Sequence, residues 1–139
     1  AVNIYNSFGY CDKISEDIKI LKNVFKALKK GGAFVLECIS REIAVKYFTE
    51  GEWFERAGMT VLTEFKVQGA WEGLVSKWIL IDKNGKRTEH EFVQRLYSAA
   101  ELRDILLKEC GFSSAQVFGG FSGEPYNQNA KTMVIVAKK

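Results

Sequence analysis

The stretch Val2-Asn3-Ile4-Tyr5-Asn6-Ser7-Phe8-Gly9-Tyr10, answered about twenty residues later by Leu28-Lys29-Lys30-Gly31-Gly32-Ala33-Phe34-Val35-Leu36-Glu37, sets the architecture of this chain. Residues 2–5 read as the tail of a strand running into a Ser-Phe-Gly-Tyr turn. Ser15 reads as the cap of a helix reaching about Lys30, with Glu16 and Asp17 in the first turn and Lys26, Lys29 and Lys30 in the last, as the helix dipole favours. Ile18, Leu21, Val24, Phe25 and Leu28 recur on one face at helical spacing. Gly31 supplies a left-handed stop. Ala33–Ile39 is a short, nearly continuous apolar run, the pattern of a strand buried on both faces in a parallel sheet. Residues 1–39 are thus expected to supply two adjacent parallel strands.

Beyond this unit the rhythm changes. Ser40 reads as the cap of a second helix carrying Ile43, Tyr47 and Phe48. After Gly58, residues Met59, Val61, Thr63, Phe65 and Val67 alternate with more polar neighbours, the period of a half-exposed strand. Leu74–Ile81 and Arg87–Tyr97 read as two more strands, joined at Asp82-Lys83-Asn84-Gly85, where Asn-Gly tolerates the positive backbone angles of a tight turn. These three form an expected antiparallel insert over 59–97. Ser98-Ala99-Ala100-Glu101 is a capping box, in which serine and glutamate satisfy each other's backbone donors. Its helix buries Leu102, Ile105 and Leu106 and closes at Gly111. Residues 115–119 and 132–137 read as two last strands around the loop Gly120–Lys131. The fold class is α/β in a single domain over 1–139.

Composition limits the function classes. Hydrophobic residues at 47% and charged residues at 27% match a globular chain with a core rather than a disordered one. No apolar run approaches a membrane span, and no basic-then-apolar start marks a signal peptide, so no membrane partner is expected. The net charge of +3 comes from lysines scattered over helix ends and turns. Without a clustered basic stripe, no nucleic-acid partner is expected. Cys11, Cys38 and Cys110 are odd in number and lack CxxC spacing. That argues against a disulfide framework or a metal site and for a reducing, cytoplasmic setting.

The order of elements, with Ser7-Phe8-Gly9-Tyr10 after the first strand, Leu28-Lys29-Lys30-Gly31-Gly32 before the second, Trp53 entering the insert, Arg95-Leu96-Tyr97-Ser98 before the last helix, Gly111-Phe112 closing it and a terminal Val-Ile-Val strand, resembles a known pattern. It is similar to the C-terminal half of class I S-adenosylmethionine-dependent methyltransferases of the small-molecule type, and the resemblance covers essentially the whole chain. It implies a partial Rossmann-like sheet, strands four to seven with their helices, plus the three-stranded antiparallel insert over the active site. The glycine-rich turn after the family's first strand and the acidic residue ending its second do not occur here. Gly119-Gly120-Phe121-Ser122-Gly123 follows a late strand, opens no helix and reads as a loop. Ligands of such folds sit beyond the carboxyl ends of the strands where strand order reverses. The chain is therefore expected to supply one wall of the crevice, to be a C-terminal portion of the enzyme, and to bind S-adenosylmethionine weakly or not at all by itself.

Methyl transfer from a sulfonium rests mainly on in-line positioning, and needs a base only if the acceptor must lose a proton early. The residues to look for shape a pocket, and no catalytic residue stands out. By resemblance, Asn6 and Ser7 lie beside the cofactor, and Phe8 and Tyr10 at the mouth of the crevice near a small-molecule acceptor; a strand-to-helix turn with two core aromatics explains the same residues. Arg95 reads either as an anion binder for the acceptor or as a surface ion pair. Tyr97 ends the same strand and would face the pocket. Glu124 and Tyr126 occupy a loop that either closes over substrate or merely connects strands. His90, the one histidine, sits among charges in an alternating strand and reads as solvent-facing. Trp53, Trp71 and Trp78 form either an aromatic acceptor pocket or a small core. An alternative reading is a catalytically inactive interaction module, a two-fold homodimer paired through the apolar edge at Val2–Tyr5.

Overall fold

The computed structural model describes residues 1–139. In chain order its elements are β1 (Val2–Asn3), α1 (Ile14–Ala27), β2 (Ala33–Cys38), α2 (Arg41–Lys46), β3 (Gly51–Arg56) and β4 (Met59–Gln68). There follow β5 (Gly73–Ile81), β6 (Arg87–Arg95), α3 (Ala99–Asp104) with a π-helical turn over Ile105–Glu109, β7 (Ser114–Phe118) and β8 (Met133–Lys138).

The strands build two sheets of four, ordered β1-β2-β8-β7 and β3-β4-β5-β6. In the first, β1 and β2 are adjacent and parallel, with Val2 opposite Val35 and Asn3 opposite Leu36, as residues 1–39 led us to expect. Both remaining pairings of that sheet are antiparallel. The outer edge of β1 is unpaired.

Phe34, Leu36 and Cys38 of β2 and Met133, Ile135 and Ala137 of β8 are buried, because α1, α3 and the π-helical turn after it bring Leu21, Leu102 and Leu106 against them. Each fully buried leucine side chain contributes roughly 1.5–3 kcal/mol by leaving water. The apolar face read on α1 is the one that packs: Ile18, Val24, Phe25 and Leu28 join Leu21 in this core. β2, expected to be buried on both faces, is fully buried on one, with Val35 and Glu37 only half covered.

The insert differs most from expectation. It has four strands, not three, because Glu52-Trp53-Phe54-Glu55 pairs with Leu62 and its neighbours. Ala57 and Gly58 make the connecting two-residue turn with φ of 52° and 74°. That primed geometry suits the twist of a hairpin, but alanine rarely occupies its first position, so the sequence hid it. The Asp82–Lys86 connection is a five-residue loop rather than an Asn-Gly tight turn. The Asp82 carboxylate accepts from the backbone of Asn84 and Lys86, at 2.8 and 2.9 Å, and β6 stops at Arg95, before Tyr97.

Helix boundaries shift as well. α1 starts one residue before Ser15, with Lys13 at the cap position, and stops at Ala27 rather than near Lys30. α2 ends at Lys46, placing Tyr47 at its C-cap and Phe48 beyond it. The caps read at Ser40 and Ser98 are present, accepting from Ile43 N at 3.2 Å and Glu101 N at 3.1 Å. No helix is long and apolar enough to cross a membrane.

Candidate active site

Alternate residues of a strand share a face, and the register of the insert puts one set on its inner side. Glu52, Thr63, Trp78 and His90 form one cross-strand row, Phe65, Ser76 and Phe92 the next, and Leu74 and Gln94 the third. This face looks onto the carboxyl ends of β1 and β2 and the last turn of α2. Between them lies a cleft of about 340 Å³. Its apolar wall carries six rings, from Tyr10, Tyr47, Phe48, Phe65, Trp78 and Phe92, and its polar groups include Asn6, Glu52 and Gln94. The rings are in series: Tyr10 meets Phe92 edge-on at 5.8 Å between centroids, and Phe92 meets Trp78 at 6.4 Å.

The floor is set by Asn6. Tyr5 and Asn6 both adopt left-handed backbone, with φ of 59° and 55°, a conformation costing an ordinary residue about 1–2 kcal/mol. Side-chain bonds hold the turn. The Asn6 oxygen accepts from Ile39 N at 2.9 Å and from Gln94 Nε2 at 2.7 Å, while its Nδ2 donates to Gln94 Oε1 at 2.9 Å. Gln94 Nε2 also donates to Phe8 O at 3.0 Å. Glu37 Oε2 accepts from Asn6 N at 3.1 Å, and Glu37 Oε1 accepts from Thr132 Oγ1 at 2.5 Å.

A second assembly fixes the segment after the turn. Gly9, at φ +94°, lies so close to β6 that a Cβ there would sit 2.6 Å from Arg95 O. Arg95 Nη1 donates to Cys11 O and Asp17 Oδ2, and its Nη2 to Asp12 O, each at 3.0 Å. Tyr97 OH donates to the same Asp17 oxygen at 2.8 Å. Asp17 is fully buried, and this ion pair, with Tyr97 OH and Cys11 N as two further donors, is what makes its burial tolerable.

The residues singled out in the sequence therefore separate. Asn6 and Tyr10 line the cleft. Phe8 is a core residue packed on Tyr97, ring centroids 5.6 Å apart. Ser7 donates its hydroxyl to Ile4 O at 2.6 Å. Arg95 lines a neighbouring, larger hollow of about 590 Å³ with Asp12, Glu72 and Glu91, across the Tyr10–Phe92 partition from the aromatic cleft. Its guanidinium is occupied by α1 and the loop before it, which corrects the picture of a free anion binder.

Tyr97 does not face the pocket: it is 2% exposed and belongs to the core. Burial and the Asp17 carboxylate push its phenol above its ordinary value. Tyr126 lies outside the cleft too. Its hydroxyl pairs with Ser40 Oγ at 2.5 Å and Glu42 Oε2 at 3.2 Å. The loop of residues 120–131 is tied down there and by Lys46 Nζ donating to Gln128 O. Of the tryptophans, Trp78 lines the cleft, Trp71 packs on Phe48, and Trp53 is exposed on the opposite face. His90 is exposed, as read.

Asp17, Glu37 and Gln94 were not singled out for these roles. Asp17 had been read as a helix-dipole residue. Glu37 carried a signal, a lone charge inside an apolar run; Gln94 carried a fainter one, an amide in an alternating strand.

Comparison with known proteins bears on this arrangement. No protein-family model matches the sequence. The chain is similar to the cypemycin N-terminal methyltransferase of a Streptomyces species, 25% identical over 96% of the chain and 55% of that protein. An S-adenosylmethionine-dependent methyltransferase from Clostridium acetobutylicum superposes with a TM-score of 0.79 at 15% identity, over 99% of the chain and 56% of that protein.

The chain has the fold of the C-terminal half of a class I methyltransferase. The sugar N-methyltransferase KedS8 from Streptoalloteichus sp. ATCC 53650 superposes as well, with a TM-score of 0.69 and 16% identity over 99% of the chain and 54% of that protein. The chain spans about half the length of each of these proteins. Within the methyltransferase fold, β1 and β2 correspond to the fourth and fifth strands, β7 and β8 to the last two, and β3–β6 to the insert.

Whether these residues suit the donor is a question for the end of β1. The side chains of Asn6 and Ser7 are spent on Gln94, Ile39 and Ile4. The backbone of their left-handed turn and the Tyr5 ring, 89% exposed, remain free. Beside the unpaired edge of β1, Asn3 Oδ1 is buried without a hydrogen-bond partner. These features fit one wall of an S-adenosylmethionine site.

Proposed function

We propose that this chain is the acceptor-binding half of an S-adenosylmethionine-dependent methyltransferase, with the aromatic cleft as the acceptor pocket. The observation that carries the reading is the position of the cleft. It lies beyond the carboxyl ends of two parallel strands, where ligands of open α/β sheets bind, and is roofed by the insert's aromatic face. When bound, the donor supplies an electrophilic methyl group on a sulfonium. The chain's own residues bind and orient the acceptor: the rings exclude water, and the Asn6–Gln94 pair locks the insert to the end of β1. Burial and the nearby Cys38 raise the Tyr10 phenol above its ordinary value, so it stays protonated near neutral pH and serves as a hydrogen-bonding group rather than a base.

Two experiments test this. Calorimetric titration of the chain with S-adenosylhomocysteine is expected to give an affinity weaker than about 100 µM, because one wall makes few contacts; micromolar binding would show that a second wall is dispensable. In a protein that joins this chain to a glycine-rich donor-binding half, radiolabelled methyl transfer to small molecules should fall at least tenfold in Trp78→Ala. Unchanged transfer would remove the cleft from the reaction.

A second reading, a catalytically inactive module paired with another copy, is favoured by the free edge of β1, where Val2 is 69% exposed. Sedimentation equilibrium would then give a dimer, and a monomer at high concentration would dismiss it. The setting proposed for either form is cytoplasmic, given three free cysteines.

A further inference from the structure

We infer that Ser76 determines what the cleft accepts: it floors an apolar notch, one ring wide, and its hydroxyl pairs with an uncharged hydrogen-bonding group on an aromatic ring of the occupant. This rests on the reading of the cleft as the acceptor pocket and adds the residue that selects the occupant. Ser76 is a small side chain among large ones. It lies opposite Phe65 on one neighbouring strand and Phe92 on the other. Leu74 and Trp78 flank it along β5 on the same face. All five residues line the cleft. Neighbouring strands lie about 4.8 Å apart, so the backbones carrying Phe65 and Phe92 stand about 9.6 Å from each other. A ring set midway, over Ser76, falls within the separation of about 4.5–7 Å that aromatic pairs favour.

The hydroxyl at the bottom is free. Ser76 is 4% exposed. No hydrogen bond within the chain engages its Oγ, yet the oxygen is not sealed off, since Asn3 Oδ1 is the one buried side-chain nitrogen or oxygen without a partner. The Ser76 oxygen therefore opens on the cleft that the residue lines. The other buried polar side chains of this face are engaged: Thr63 donates to Glu52 O at 3.3 Å, and Gln94 spends its amide on Asn6 and Phe8. Buried polar groups are paired as a rule, so a free hydroxyl facing a cavity leaves its partner to be brought by what enters. That partner is uncharged. Glu52 and His90 stand at the two ends of the neighbouring row, and Lys46 reaches the Tyr47 ring. The four side chains around Ser76 are apolar and offer an ion no counter-charge, and an ion buried without one costs far more than a hydrogen-bonded neutral group.

The test needs no methyl donor, so it separates from the question of catalysis. Phenol and toluene are nearly the same size, are uncharged at pH 7 and differ in one hydroxyl. Each is titrated into the full 139-residue chain while the indole N–H of Trp78 is followed by two-dimensional NMR, assigned by its disappearance in Trp78→Phe. Both are expected to shift that signal. Ser76→Ala should weaken phenol by about threefold or more, the worth of one neutral hydrogen bond, and leave toluene within about twofold. Ser76→Leu, which fills the notch, should weaken both by about tenfold or more. Benzoate, with a charge in place of the hydroxyl, should bind about tenfold or more below phenol. The alanine variant decides even if the leucine variant does not fold, because it removes only an unpartnered hydroxyl. No binding of either neutral probe, phenol indifferent to Ser76→Ala, both probes weakened alike by it, both unchanged in a folded Ser76→Leu, or benzoate held as tightly as phenol would each overturn the inference. The expected discrimination beside an absence of methyl transfer in the joined protein would instead sink the catalytic reading and leave the notch standing.

Discussion

Asn6 and Gln94 exchange two side-chain hydrogen bonds, 2.9 Å and 2.7 Å long, across the junction between the two sheets. One residue sits in the left-handed turn after β1; the other is 4% exposed on the last strand of the insert. The pair links the turn after β1 to the roof of the cleft. Gln94→Leu removes it and leaves the Asn6 Nδ2 and the Phe8 carbonyl without partners. The expected loss is about 1–3 kcal/mol, read as a lower midpoint in urea denaturation. An unchanged midpoint would show that the two sheets hold together without it.

Strain at the same turn predicts the opposite sign. Tyr5 is left-handed yet 89% exposed, so its ring contributes little burial to offset the conformation. Tyr5→Gly relieves a cost of about 1–2 kcal/mol while giving the unfolded chain more freedom. The net effect is expected between neutral and about 1 kcal/mol of stabilisation by thermal or urea unfolding. A clear destabilisation would mean that the ring packs more than its exposure implies.

Gly9 is the converse case. Its φ of +94° is strained for any other residue, and a Cβ would meet the Arg95 carbonyl at 2.6 Å. Gly9→Ala should cost about 2 kcal/mol or more and displace Tyr10, broadening the NMR signals of Phe92 and Trp78. If the alanine variant kept both its stability and those signals, the close approach of the two backbones would not be required.

The buried Asp17–Arg95 pair yields a coupling. Removing one partner strands a buried charge, so Asp17→Ala and Arg95→Met should each cost about 3–5 kcal/mol. The double variant should lose clearly less than the sum, because neither charge is left behind. Additive losses in urea denaturation would show that the two side chains act independently.

Alkaline pH should unfold the chain through groups that burial keeps neutral. Burial pushes the Cys38 thiol up to about 12, and burial with Glu42 pushes the Tyr126 phenol up to about 12. Both values lie above those of the unfolded chain, so the stabilisation is complete below about pH 9 and is lost as pH rises towards 12. Denaturation midpoints should be flat between pH 7 and 8.5 and fall steadily above pH 9. Cys38→Ala, though less stable at pH 8 because of the cavity it leaves, should show a shallower decline. A flat profile to pH 11 would contradict the burial of these groups.

Periodicity carried much of this fold. The apolar spacing on α1, the presence of β2 and the serine caps at Ser40 and Ser98 are local signals, written within a few residues and fulfilled, although β2 is fully buried on one face only. The methyltransferase resemblance was also legible, because ordered glycines and aromatics mark where strands end. The fourth insert strand was not, since Ala57-Gly58 lacks the usual residues of a tight hairpin turn and Glu52 and Glu55 resemble surface.

The chain's own residue pattern was enough to establish most of the helices and strands, β3 excepted, and to suggest that β1 and β2 run side by side, because backbone periodicity and capping act over one or two turns. The contents of the site came from long-range packing. Arg95 had equal standing as an acceptor ligand until Asp17, 78 residues away in sequence, claimed it. Tyr97 left the pocket for the same reason. Glu52, Trp78 and Gln94 became neighbours of Asn6 and Tyr10 only because the strand register puts them on one face and the insert folds that face over the end of β1. A side chain's role depends on which partner reaches it first in space, and that distance is not written in the local order of residues.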